Sequence, residues 1–120
     1  MSIRQRLVLV AGASFLMLSA CTTPPPSEDQ IAAARHALHG CITRWVGRLD
    51  DGTSPASVVA LAASERCPTE RTNYAQLLIQ GHSKGYAVGP TRVAEQLASD
   101  YAMRAVLEHR ASSAKNERAR

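Results

Sequence analysis

Four stretches of the chain repeat apolar residues at helical spacing. In the first, over residues 28–49, the intervals of three, four and seven place the apolar side chains on one face of a helix. These residues are Ile31, Leu38, Cys41, Ile42, Trp45 and Leu49. Ser27 and Gln30 have the spacing of a capping box at its start. The Asp50-Asp51-Gly52 turn predicts its end, which could come as early as Gly47.

The second predicted helix is short and apolar. We expect Ser54 as its N-cap and Pro55 at its first helical position, where a missing N–H has no cost. Val59, Ala63 and Cys67 lie four residues apart and share a face, with Val58 and Leu61 beside them. Pro68 then disfavours helical geometry at the preceding residue.

Two more helices complete the prediction. The third runs from about Thr69 to Gln80 with Gly81 as its stop, and Pro90 opens the fourth. Its main stripe consists of Val93, Ala94, Leu97, Ala98, Tyr101 and Ala105. Met103, Val106 and Leu107 lie off that stripe, so they cover a second neighbour or form a patch for a partner. The chain is therefore predicted to be all-α, a bundle of about four helices over residues 28–110, with a polar flexible tail over 111–120.

The N-terminus has a different pattern. Arg4 and Arg6 precede an apolar run of about twelve residues, and small residues follow before Cys21. A charged start, an apolar stretch and a small-residue end are the anatomy of a secretory signal. Because a bilayer-spanning helix needs roughly twenty apolar residues, a permanent transmembrane anchor is disfavoured. We predict a signal peptide over residues 1–20.

Leu18-Ser19-Ala20-Cys21 resembles the lipobox of bacterial lipoproteins. The resemblance covers residues 1–21 alone and implies cleavage before Cys21, a diacylglyceryl group on its thiol and acylation of the new amino terminus. An ordinary signal peptidase site fits less well, because Leu18 occupies a position that prefers a small residue. Two or three acyl chains hold a protein on a membrane, whereas one chain binds marginally.

The lipid would fix the protein's address. By resemblance to Gram-negative lipoproteins, Thr22 after the cysteine favours the outer membrane, on its periplasmic face. In a Gram-positive source the domain would lie outside the plasma membrane. Residues 21–27 include three consecutive prolines, which favour an extended linker.

Charge does not indicate nucleic acid as a partner. The 14 basic and 10 acidic residues give a net charge of +4. Loss of Arg4 and Arg6 with the signal would reduce this to about +2, which gives little support for nucleic-acid binding, a function that requires a clustered basic face. An envelope compartment also disfavours nucleic acid.

The remaining cysteines predict a disulfide. With Cys21 lipidated, Cys41 and Cys67 form an even pair in an oxidising compartment. A catalytic or metal-binding thiol is the alternative, although no C-x-x-C pair suggests it. Antiparallel packing of the first two helices would bring the two cysteines together.

Motifs for metal or catalysis are incomplete. His36 and His39 lie three apart near Cys41, but no H-E-x-x-H or paired C-x-x-C accompanies them. Ser112-Ser113-Ala114-Lys115 spells S-x-x-K without the companion motifs that the chemistry needs. We therefore expect no metal site, no catalytic residues and no cofactor beyond the covalent lipid on Cys21.

Residues 81–89 form the least regular segment of the predicted domain. His82, Lys84 and Tyr86 could make a binding loop, or the segment is a flexible connector. The leading functional hypothesis is a membrane-anchored, non-enzymatic interaction or accessory module of an envelope assembly, with an envelope protein as partner. The alternative is a periplasmic inhibitor or immunity-type protein that binds an enzyme through this loop.

Overall fold

The computed structural model describes residues 24–81 and 89–120. Over these ranges the chain forms four helices and no strand. They are α1 (Glu28–Leu49), α2 (Ala56–Glu65), α3 (Pro68–Gly81) and α4 (Pro90–Arg118). The prediction of an all-α bundle of about four helices with one disulfide is confirmed.

The start of α1 follows the predicted capping box. The Gln30 backbone N–H donates to the Ser27 hydroxyl at 3.2 Å, and the Ser27 backbone N–H donates to the Gln30 side chain at 2.8 Å. Glu28 and Asp29 lie in the first turn, where carboxylates stabilise the positive end of a helix. Gly47 does not end the helix, which continues to Leu49.

The start of α2 differs from the prediction by one residue. Pro55 is the N-cap and Ala56 the first helical residue. Ser54 does not cap the helix, because its hydroxyl donates to the Asp51 carboxylate at 2.9 Å in the preceding turn. The same residue type that favours N-caps also favours such local turn contacts.

The end of α4 is a second correction. The helix does not stop near residue 110 but continues to Arg118, so residues 111–118 of the predicted polar flexible tail are helical. The hydroxyls of Ser112 and Ser113 donate to carbonyls one turn earlier, at Glu108 and His109, and so do not break the helix. Every residue from 111 to 120 is exposed, which explains why no apolar stripe marked this segment.

Two long helices form the centre of the bundle. α1 and α4 pack against each other, and both pack against α2 and α3. The largest fully buried side chains are Leu38, Ile42, Val46, Val106 and Cys67. α4 contributes mainly small residues to this core, namely Ala94, Ala98, Ala102 and Ala105. Small residues at a helix contact let the neighbouring backbones approach closely.

The disulfide joins Cys41 of α1 to Cys67, which lies between α2 and α3. The sulfurs are 2.06 Å apart and the Cα atoms 6.1 Å apart. Both residues are buried. The bond therefore ties the middle of α1 to the junction of the two flanking helices.

The predicted signal peptide and Cys21 lie outside the described residues. The three prolines 24–26 are described, and they precede α1 without regular secondary structure. Among the helices that are described, none is both long enough and apolar enough to cross a bilayer.

Candidate interaction surface

The predicted site residues fall into two groups, those outside the described residues and those within them. Cys21 and the loop residues His82, Lys84 and Tyr86 lie outside the described ranges. Cys41 and Cys67 are joined in the predicted disulfide.

The histidines of α1 are not gathered into a metal site. His36 and His39 are exposed, and the His39 ring contacts Tyr101 edge-on, with 5.2 Å between centroids. In the described part of the chain, three candidate ligand atoms come within 4.8 Å of one another at Cys41, Cys67 and Glu70. Both of these sulfurs are bonded to each other, so they are not thiolates and do not offer the donor set of a zinc site.

The outer side of α2 carries large aliphatic side chains in solvent. Val58 is 58% exposed and Leu61 is 64% exposed, and the two lie three residues apart on one helix face. Leu107 of α4, the helix that packs against α2, is 56% exposed. We call Val58, Leu61 and Leu107 the α2–α4 seam.

A hydrogen bond joins α4 to the residue just before α2. The Arg110 guanidinium of α4 donates from Nη2 to the Ser54 carbonyl at 2.6 Å. Val58 follows Ser54 by four residues and Leu107 precedes Arg110 by three. The contact therefore joins α4 to the start of α2 at positions close in sequence to both aliphatic residues.

An ion pair accompanies this hydrogen bond. Arg110 donates to the Asp50 carboxylate from Nε and Nη2 at 2.8 to 3.1 Å, and the Asp50 side chain is only 1% exposed. The Arg110 hydrogen bonds lower the pKa of Asp50 from its ordinary value of 3.8, with help from the Gly52 N–H and against the effect of burial. The same pair raises the pKa of Arg110. Asp50 ends α1, so one carboxylate connects α1, α4 and the start of α2.

The neighbouring carboxylate completes the turn. Asp51 accepts hydrogen bonds from the backbone N–H groups of Ser54 and Thr53 at 2.7 and 2.9 Å. These bonds hold the pKa of Asp51 well below its usual range. Asp50 and Asp51 therefore each accept structural hydrogen bonds, and they are not arranged as a pair for acid–base chemistry.

A second surface feature lies where α1 meets the end of α2. Trp45 is half-buried, and two guanidinium groups lie near its ring: Arg48 at 5.2 Å and Arg66 at 5.0 Å from the centroid. Arg48 is on the next turn of α1, whereas Arg66 follows α2, so a residue outside α1 completes the arrangement. We call Trp45, Arg48 and Arg66 the arginine–tryptophan cluster. Both contacts are within the range of cation–π attraction.

The surface also contains two open grooves. An open groove of about 440 Å³ between α3 and α4 is lined by Tyr74, Arg92, Val93, Gln96, Leu97 and Asp100. A second groove, of about 370 Å³, lies beside the Asp50–Arg110 pair and is lined by His109 and Glu117 among others. Ser113 also lines the second groove, and its hydroxyl donates to the backbone carbonyl of His109 rather than to a side-chain base. Acyl transfer requires a nucleophile placed against such a base.

The sequence pattern singled out some residues of the seam more clearly than others. Of the residues off the main stripe of α4, Val106 is fully buried and Met103 packs against the core, whereas Leu107 is exposed. Val58 and Leu61 carried a weaker signal, because a helix that is apolar all round does not say which side is buried.

The chemistry of the surface residues indicates what this side of the molecule can bind. Aliphatic groups at the seam can bury apolar area against a partner, and the guanidinium groups of the cluster can bind anions. No protein-family model, curated protein or solved structure matches the chain.

Proposed function

We propose that this protein is a bacterial lipoprotein whose helical domain acts as a non-enzymatic docking module of an envelope assembly. The observation that carries the proposal is the α2–α4 seam. Three large aliphatic side chains are exposed on a part of the fold that a disulfide and a buried carboxylate hold in place. Exposed apolar patches rimmed by polar residues mark interaction sites.

The seam is suited to protein recognition because it is preorganised. Association costs free energy when side chains and loops must be ordered at the interface. α2 is tied at its start by the Arg110–Ser54 contact and just after its end by Cys67. A partner therefore meets a surface whose backbone needs little ordering.

The number of cysteines supports a lipid anchor at Cys21. The chain contains three cysteines, and the disulfide uses Cys41 and Cys67. Cys21, at the end of the lipobox-like segment, is the cysteine that remains for lipid. We place the protein on the periplasmic face of the outer membrane in a Gram-negative source, with the prolines 24–26 as a linker between lipid and domain.

The anchor is tested by mass spectrometry of the mature protein purified from bacterial membranes. We expect a first residue Cys21 that carries a diacylglyceryl group and an amide-linked acyl chain. A Cys21→Ala variant should accumulate as the uncleaved precursor. An unacylated mature form in the soluble fraction would contradict the anchor.

Docking is tested by in-cell photo-crosslinking. A photoreactive amino acid at position 61 should give a discrete adduct with an envelope protein, while the same group at the exposed position 99 of α4 should not. Adducts of equal strength at both positions would contradict docking at the seam. An adduct through position 84 instead of position 61 would favour the inhibitor hypothesis.

A further inference from the structure

The charges on α1 are segregated. Between Asp29 and Asp50 the chain contains no acidic residue, whereas Arg35, Arg44 and Arg48 lie in the same interval. Among the described residues, ion pairs form between Arg71 and Glu65 and between Arg110 and Asp50. Within that part of the chain, no carboxylate lies within 4 Å of the guanidinium groups of Arg44, Arg48 and Arg66. This side of the molecule therefore presents uncompensated positive charge.

The positive charge surrounds the one tryptophan of the chain. Arg44 and Arg48 lie one turn apart on α1, and Arg48 and Arg66 lie about 5 Å from the Trp45 ring. All three arginines are exposed, while Trp45 is half-buried. Tryptophan with neighbouring cations is the side-chain combination that partitions to the headgroup level of a bilayer.

We propose that the arginine–tryptophan cluster and Arg44 contact the anionic phospholipid headgroups of the membrane to which Cys21 is anchored. The inference rests on the anchor of the proposed function and adds an orientation to it. Each basic residue near an anionic bilayer is worth about 1 kcal/mol, which is about fivefold in the ratio of docked to undocked domains. Three arginines together then favour the docked state by about 100-fold.

The length of the linker favours a membrane over a separate acidic protein as the binding surface. Ser27 follows Cys21 by six positions, so an extended linker spans roughly 19 Å. Tethering at this distance keeps the cluster at high effective concentration near the headgroups. Trp45 lies 18 residues, about 27 Å, along α1 from Ser27, so docking requires α1 to lie along the membrane rather than stand upright.

Membrane contact by the cluster leaves the seam free. Leu61 and Arg66 are five residues apart along α2 and its C-cap, which turns their directions about 140° away from each other. The cluster lies where the end of α2 meets α1, whereas Val58 and Leu61 of the seam lie on the exposed outer side of α2. One domain can therefore contact lipid and protein simultaneously.

The test uses the fluorescence of Trp45 in the lipidated mature protein. The protein is reconstituted into vesicles of phosphatidylcholine alone, or with about one third phosphatidylglycerol, each containing lipids brominated near the headgroup. We expect quenching of Trp45 in the anionic vesicles and little in the neutral ones. Quenching should disappear in 1 M salt, where the Debye length is about 3 Å instead of about 10 Å at 0.1 M.

Matched variants separate specific contact from net charge. Arg48→Gln with Arg66→Gln should lower the docked-to-undocked ratio by about 25-fold, so that quenching is largely lost. Arg104→Gln with Arg118→Gln removes the same charge from exposed positions of α4 and should leave quenching unchanged. Circular dichroism confirms that each variant folds. Equal loss in both double variants would overturn the proposal.

The outcomes also distinguish the inference from the anchor. Flotation with both kinds of vesicle but without quenching would overturn the inference and leave the anchor standing. Flotation with neither would overturn both, while flotation with anionic vesicles alone would support the headgroup contact and contradict the anchor. If the cluster variant keeps full quenching but loses a crosslinked protein in cells, the cluster is a protein contact and the inference is wrong.

Discussion

The two sides of α2 have the same chemistry and different surroundings. Val59, Ala60 and Ala63 on the inner side are buried against α1 and α4, whereas Val58 and Leu61 on the outer side are exposed. The fold needs the inner side, because its side chains complete the core. It does not use the outer side. The comparison teaches that aliphatic residues serve two purposes in one ten-residue helix, packing on one side and, in our proposal, docking on the other.

Removal of the disulfide should have the largest effect on the inner side. Cys41→Ala with Cys67→Ala releases a loop closed over a sequence separation of 26, and we expect a loss of about 3 kcal/mol in the free energy of unfolding. Urea titration followed by circular dichroism measures it. Reduction of the wild-type protein should lower the free energy of unfolding by a similar amount. A loss below about 1 kcal/mol would mean that the disulfide does little to hold α2 in place.

A matched pair of valines tests the comparison directly. Val59→Ala removes two buried methyl groups and should cost about 2 kcal/mol, because transfer and cavity costs add. Val58→Ala removes the same atoms from solvent and should change stability by less than about 0.5 kcal/mol. Thermal and urea unfolding of the two variants side by side gives the difference. Similar losses in both would contradict the assignment of inner and outer sides.

The Asp50–Arg110 pair should contribute a somewhat smaller amount. Asp50→Asn keeps the shape but removes the charge that accepts the Arg110 hydrogen bonds, and we expect a loss of about 1–2 kcal/mol. Unfolding in urea at neutral pH measures the loss. A variant as stable as the wild type would show that the pair does not stabilise the fold.

The pH dependence follows from the same carboxylates. Since the folded pKa values of Asp50 and Asp51 lie below the ordinary 3.8, their stabilisation is present above that value and is lost as the pH falls through the folded pKa. Wild-type stability should therefore decline below about pH 4. Asp50→Asn should decline less steeply in a series of urea titrations. Parallel curves for the two proteins would contradict the Asp50 assignment.

Local signals predicted most of the fold. The Ser27–Gln30 capping box, the Asp50-Asp51-Gly52 turn and Pro90 marked helix boundaries, because capping and turn chemistry act over three or four residues. The pairing of Cys41 with Cys67 followed from counting cysteines once Cys21 was set aside. These features need no knowledge of tertiary contacts.

The candidate site was harder to predict because long-range contacts define it. The ion pair that joins the end of α1 to α4 links Asp50 and Arg110, which are 60 positions apart, and no local pattern connects them. Arg66 meets Trp45 only when α2 has folded back on α1. The exposed extension of α4 lacks an apolar stripe, so periodicity could not place its end.

The central claim, that Leu61 and Leu107 belong to one docking surface that the fold does not require, can be tested in a single experiment. A photoreactive amino acid at position 107 is combined with Leu61→Asp, and both the crosslinked adduct and the thermal midpoint are measured. We predict that the adduct formed through position 107 disappears while the midpoint stays within about 2 °C of the Leu61 parent. An undiminished adduct, or an adduct lost together with the fold, would contradict the claim.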